Sequence, residues 1–300
     1  MRVRLLALVS AVALFSIGAM PASASSEGHG YLALGDSVAF GFHPVTPTNP
    51  ITDRLDAGNF IGYPEIVAQR LNIEDINASC SGEATGGFID AHGLDNSCRF
   101  YRSHWPLHTA YTGTQLAFAV DYLKANPRTR LVTLNLDAND LFRLADGASQ
   151  DFWPPSGCYT PNLFVYFSST GCAVQNLEAI FAAIRATGYT GLIVAMTYYA
   201  LDYRDQTGLF FSGLLNGAME TAAAHSDGVL VASGFDAWKA QSLAVGGSSC
   251  TAGLRIPVGG DCDIHPSPAG RDLLAGAIVD TIADSCPAHS AIGCLNRNQG

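Results

Sequence analysis

Hydrophobic positions begin with an apolar stretch over residues 5–20, preceded by Arg2 and Arg4 and followed by Ala22-Ser23-Ala24. A basic start, an apolar middle and an A-x-A end predict a secretory signal peptide over residues 1–24. The stretch is shorter than the roughly 20 residues that span a bilayer, and no later stretch approaches that length. An exported, extracellular chain without stable membrane insertion is therefore expected.

Beyond the signal, short apolar runs alternate with amphipathic ones. Residues 30–34 form a compact apolar run ended by Gly35, as in a strand buried on both faces. Residues 64–71 read as a helix with Pro64 in its first turn, and residues 114–124 as a second helix. A β-rich run follows over 130–136, a helix over 176–187, a strand over 191–197, a helix over 209–224 and a short strand over 228–231. Ser267-Pro268 then has the form of an N-cap and first-turn proline, opening a helix through residue 282. Strands separated by helices predict a three-layer α/β/α sandwich around a mostly parallel central sheet. No repeat or linker interrupts the pattern, so residues 25–300 are expected to form a single domain. Residues 41–61, 82–112, 142–171 and 241–266 read as long irregular connections, a length usually reserved for function.

Composition narrows the class. Apolar residues make up 48% of the chain and charged residues 14%. That is enough for a large core and too little charge for disorder. The net charge of −10 becomes −12 once Arg2 and Arg4 leave with the signal, which argues against a nucleic-acid partner. All eight cysteines follow the signal and fall into four local couples: Cys80/Cys98, Cys158/Cys172, Cys250/Cys262 and Cys286/Cys294. Four disulfides, each stapling one loop, are expected in an exported chain. No C-x-x-C supports zinc, and Pro106 between His104 and His108 breaks any helical metal pair. Asn77-Ala78-Ser79 matches a glycosylation acceptor, although its place in the chain suits a structural role better.

Candidate chemistry sits at the ends of these elements. Leu34-Gly35-Asp36-Ser37 puts a serine at the carboxyl end of the first strand, where open α/β sheets bind ligands. Asp263-Ile264-His265-Pro266 puts a histidine just ahead of the last helix. Between them lie Asn77 to Gly82 and the pair Asn139-Asp140, which follows a strand. Taken singly, each block could be an ordinary turn. Together and in this order they resemble the SGNH (GDSL) hydrolase family, over residues 31–270. Tyr63-Pro64 and Met196-Thr197-Tyr198-Tyr199 add to the likeness.

The resemblance implies a flavodoxin-like hydrolase fold with Ser37 as nucleophile, His265 as general base, and Ser37, Gly82 and Asn139 as the oxyanion hole. It implies no metal and no organic cofactor. Physical chemistry agrees: a serine hydroxyl needs a base within hydrogen-bond reach, and imidazole suits that task near neutral pH. Two positions depart from the family pattern. Asp137 stands where Gly-x-Asn-Asp has its glycine, and Cys262 stands where an acid usually precedes the histidine by three residues. Asp263 is taken as the orienting acid, with Asp261 or a backbone carbonyl as alternatives.

The segment 141–171 carries Phe142, Phe152, Trp153, Tyr159, Phe164, Tyr166 and Phe167. It is expected to wall an acyl-chain site, to form a small core of its own pinned by Cys158 and Cys172, or both. The function expected is a secreted serine esterase or lipase acting, as a monomer, on lipid or simple acyl esters. A carbohydrate acetylesterase and a binding protein that has lost catalysis are the alternatives.

Overall fold

The computed structural model describes residues 30–145, 158, 160–286 and 290–297. The expected signal peptide and Phe152, Trp153 and Tyr159 lie outside the described residues.

In the first half, β1 (Tyr31–Gly35), α1 (Ser37–Phe40), α2 (Tyr63–Leu71), β2 (Asp75–Asn77), α3 (Thr85–Ile89), α4 (Cys98–His104) and α5 (Gln115–Ala125) follow one another. The middle comprises β3 (Leu131–Asn135), α6 (Ala138–Ala145), α7 (Leu163–Tyr166), α8 (Cys172–Ala186), β4 (Leu192–Met196) and α9 (Gln206–Ala224). The end comprises β5 (Val229–Ala232), α10 (Gly234–Ala244), β6 (Arg255–Val258), β7 (Asp261–Pro266), α11 (Pro268–Asp284) and α12 (Ala291–Arg297).

The sheet runs β2-β1-β3-β4-β5, and every pairing in it is parallel. Helices α3, α5, α8 and α9 pack together in one layer, and α2, α10, α11 and α12 in the other. β1 and β3 are buried throughout, which is why the sequence shows them as unbroken apolar runs. Caps fix the helix starts: Thr114 accepts from the Ala117 amide, and Ser267 from the Gly270 amide.

Several connections expected to be irregular hold regular structure. α3 and α4 lie within 82–112, and α7 within 142–171. The stretch 241–266 holds the end of α10 and an antiparallel hairpin of β6 and β7. The hairpin turns through Gly259 and Gly260, both at positive φ, with Val258 opposite Asp261, as tight hairpin turns require. Strand β2 is three residues long and carries no apolar run, so the hydrophobic pattern is silent about it. Asn77 at its end is buried. It donates to the Ala39 carbonyl and the Glu65 carboxylate and accepts from Ser79, a structural role that leaves no room for a glycan.

One close approach positions everything that follows. Gly35 ends β1 at φ 140°, and a Cβ there would lie 2.3 Å from the Asn135 carbonyl oxygen of β3. The side-chain amide of Gln115 grips this peptide from α5, accepting from the Gly35 amide at 2.6 Å and donating to its carbonyl at 3.0 Å. Glycine alone lets the two strands pass this close at the sheet edge. Gly35→Ala is expected to lower the unfolding free energy by about 2–4 kcal/mol, read from urea unfolding; an unchanged midpoint would contradict the crowding.

Candidate active site

Strand order 2-1-3-4-5 places the topological switch point between β1 and β3, where ligands of such sheets bind. Ser37 follows β1 there as the first residue of α1, and Asn139 follows β3 in the first turn of α6. Asp36 caps α1 by accepting from the Val38 amide at 2.9 Å. Its carboxylate also accepts from the Tyr198 hydroxyl at 2.6 Å and from Asn139 Nδ2 at 3.2 Å. Burial pushes the Asp36 carboxyl up to about 6, against the pull of the Tyr198 and Val38 donors.

Gly82 sits at φ 86°, and a Cβ on it would come 2.0 Å from the Asn96 carbonyl oxygen. The Cys80–Cys98 disulfide closes this loop, and the Asn96 amide donates to the Gly82 carbonyl at 2.8 Å. Asn96 Nδ2 also donates to Asn139 Oδ1 at 2.9 Å, fixing the Asn139 amide so that its nitrogen faces Asp36 and the Glu83 carbonyl. Asn96 carried no signal in the sequence.

His265 lies on β7, whose hairpin is tied near its turn by Cys250–Cys262. Its Nδ1 is 2.5 Å from Asp263 Oδ1, and its backbone amide donates to the same oxygen at 3.0 Å. Burial pushes the Asp263 carboxyl up, but the hydrogen bond and charge of His265, backed by Arg255, outweigh it and hold the group below the ordinary carboxylate value. Asp261 instead accepts from the Cys262 amide, so of the two candidate acids Asp263 is the one that meets the ring. With Nδ1 given to the carboxylate, Nε2 keeps its lone pair.

Backbone carbonyls along this strand are also held. Arg255 donates to those of Asp263 (2.9 Å) and Cys262 (2.6 Å), and the Tyr199 hydroxyl to that of Ile264 (2.7 Å). Tyr199 stacks on buried Trp238 with ring centroids 3.6 Å apart, and Phe42 packs on the imidazole at 4.8 Å. Adjacent tyrosines after β4 thus reach both halves of the site, Tyr198 the serine side and Tyr199 the histidine side.

Ser37, Gly82, Asn139 and His265 all open onto one cavity of about 590 Å³. Contact between α1 and β7 brings these distant parts of the chain together there. Leu141, Phe142 and Ala145 line it from α6, whereas Tyr166 and Phe167 join the main core rather than forming a separate small one, and Phe164 is exposed. Cys158–Cys172 and Cys286–Cys294 close as well, completing the four expected pairs.

Asp137 is the strained element. It adopts φ 102°, in the left-handed region that favours glycine, which accounts for glycine at this place in the pattern. Its side chain is fully buried, neither carboxylate oxygen has a hydrogen-bond partner among the described residues, and the cavity wall takes in Ala138 and Asn139 rather than Asp137. Burial, with Asp140 and Asp36 nearby, raises its carboxyl well above the ordinary range. Asp140 is satisfied, accepting from Thr85 and from the Tyr166 hydroxyl.

The sign of the consequence follows directly. A carboxyl whose folded pKa is raised contributes stability that is complete below about pH 4 and is lost as pH rises through the folded pKa. Asp137→Asn is therefore expected to flatten the decline of stability above about pH 4, and Asp137→Gly to add about 1 kcal/mol or more by relieving the backbone. Thermal melts from pH 4 to 8 check both; a wild-type decline that persists unchanged in Asp137→Asn would rule this out.

No curated protein matches the chain. Among solved structures, a putative GDSL-like lipase from Parabacteroides merdae is similar at 13% identity and TM-score 0.50, covering 88% of this chain and 95% of that one. A catalytic mutant of Axe2, an acetylxylan esterase from Geobacillus stearothermophilus, is similar at 16% identity and TM-score 0.50, covering 85% and 94%. At such identities the likeness is one of fold. The family model of GDSL-like lipases and acylhydrolases matches residues 33–273, from within β1 to within α11, and spans every site residue described above. This chain belongs to the GDSL-like lipase/acylhydrolase family.

Proposed function

We propose that the protein is a secreted serine ester hydrolase that works through an acyl-enzyme on Ser37. The observation that carries this reading is the convergence of Ser37, His265 with its Asp263 partner, Gly82 and Asn139 on one cavity, from four separate parts of the chain. His265 Nε2 takes the Ser37 proton as Oγ attacks the ester carbonyl carbon. The oxyanion formed accepts from the Ser37 and Gly82 amides and from Asn139 Nδ2, for whose proton it competes with Asp36. His265 then passes its proton to the leaving alcohol as the C–O bond breaks. Water attacks the acyl-enzyme by the same route in reverse roles, releasing the acid and free Ser37. Asp263 holds the imidazole in the tautomer this requires and stabilises its charged form.

Secretion rests on the signal-like N-terminus and on the four disulfides, which persist in oxidising compartments. No helix among the described residues is long and apolar enough to cross a membrane. The acetylesterase alternative draws on what Axe2 is named for. The extent of apolar wall around Ser37 favours longer acyl groups. The binding-protein alternative arose from Asp137 and Cys262, but Asp137 stands off the cavity and Asp263 supplies the carboxylate that Cys262 lacks.

A fluorophosphonate probe is expected to label the wild type and not Ser37→Ala, and His265→Gln is expected to lower kcat by roughly 10²–10⁴-fold. A folded wild type that resists labelling would sink the proposal. Removing the Cys250–Cys262 tie is expected to lower turnover roughly 10- to 100-fold before the domain unfolds, followed by ester hydrolysis and far-UV dichroism during stepwise reduction. Full activity after verified reduction of all four bridges would contradict it.

A further inference from the structure

Helix α9 presents one apolar stripe along its whole length. Leu215, Ala218, Met219, Ala222 and Ala223 are buried along its C-terminal half, which packs on β4 and β5. Continuing the same stripe toward the N-terminus gives Gly208, Phe211 and Ser212, at the i, i+3, i+4 spacing that ends on Leu215. These residues line the cavity, Phe211 while also packing against the main core. One half of the stripe thus has a protein partner, and the other half looks across the cavity at Leu141, Phe142 and Ala145 of α6.

Chemistry assigns the two sides of the cavity. The leaving alcohol must lie where His265 can protonate it. Arg255 and Asp261 of the hairpin, with Ser248 and Asp202, make the lining around it polar, and Asp205 adds a carboxylate at the N-terminal rim of α9. The carbonyl oxygen belongs beside Gly82 and Asn139. What remains for the acyl group is the interval between α6 and α9. The whole cavity measures about 590 Å³. An acetyl group would fill only a small part of that space, leaving Leu141, Phe142 and Phe211 uncovered.

We propose that the facing sides of α6 and α9 form an acyl channel, with Ser212 and Ala145 as chain-length determinants, so that the preferred esters carry an unbranched apolar acyl chain well beyond acetyl. The proposal rests on the serine-hydrolase reading above. Gly208 keeps the stripe narrow at the mouth, where a side chain would meet the Asp205 carboxylate that caps α9. Phe211 and Leu215 supply wall, and Ser212 is small enough to leave the bore open between them. A large residue at position 212 or 145 would close the bore from opposite walls.

The test is kcat/KM on nitrophenyl esters of two to twelve carbons, kept below the concentrations at which they aggregate. For the wild type the value is expected to rise by up to about fourfold per methylene until the channel is filled, with octanoate exceeding acetate at least about tenfold. Ser212→Phe and, separately, Ala145→Phe are expected to lower the octanoate-to-acetate ratio at least about tenfold. Ala145 is exposed at the end of α6, so its variant stands in if the α9 variant fails to fold. A wild-type profile that falls from acetate onward, or two folded variants that keep the wild-type ratio, overturns the channel while leaving the serine chemistry intact. A folded enzyme that hydrolyses none of the esters and takes no fluorophosphonate overturns both.

Discussion

A buried carboxylate, that of Asp36, organises the centre of this molecule. An ionised group removed from water is costly unless donors surround it. Asp36 finds three, and each belongs to a different part of the sheet edge: the Val38 amide of α1 after β1, the Asn139 amide after β3, and the Tyr198 hydroxyl after β4. Satisfying one charge therefore brings three successive crossovers into a common geometry. The approach of β1 to β3 at Gly35 makes this possible, because it sets Asp36 within reach of both neighbours.

The histidine side is built on a different principle. β7 belongs to a two-stranded hairpin outside the central sheet, so the main hydrogen-bond ladder does not fix it. It is held by a disulfide beside its turn and by side-chain donors to its carbonyls, from Arg255 and Tyr199. Tyr199 is itself rigid because it stacks on Trp238, whose indole donates to the Gly270 carbonyl of α11. A neighbouring pair of tyrosines thus couples a sheet-borne nucleophile to a loop-borne base. Against this order stands Asp137, an acid in a glycine conformation with no hydrogen-bond partner among the described residues, packed near two other carboxylates. Strain of this kind persists only where the surroundings overdetermine the backbone, and it is characteristic of functional sites.

The cavity inherits its polarity from these two constructions. Its polar residues come from the turns after β1, β2 and β3, the connection after β4 and the hairpin, and most of its apolar ones from α6 and α9. The face of α9 that is core at its C-terminal end lines the cavity at its N-terminal end.

The sequence by itself determined the layer architecture, since strands buried on both faces read as apolar runs and capped helices announce their starts. It also determined Ser37, Gly82, Asn139 and His265 as site candidates, because those positions depend on local turn chemistry and on the order of short blocks. The Gly259-Gly260 pair was a readable signal for the β6–β7 hairpin, which went instead into an irregular stretch. Other features had no local signature. β2 is too short to show a period, and Asn96 meets Asn139 across 43 residues. Arg255 and Tyr199 act on carbonyls whose positions are set by a hairpin and by β4. Only the tertiary structure chose Asp263 over Asp261, placed Asp137 beneath the site, and turned part of α9 toward the cavity. Each of these depends on distances between segments remote along the chain, and a pattern of neighbours in sequence carries no measure of such distances.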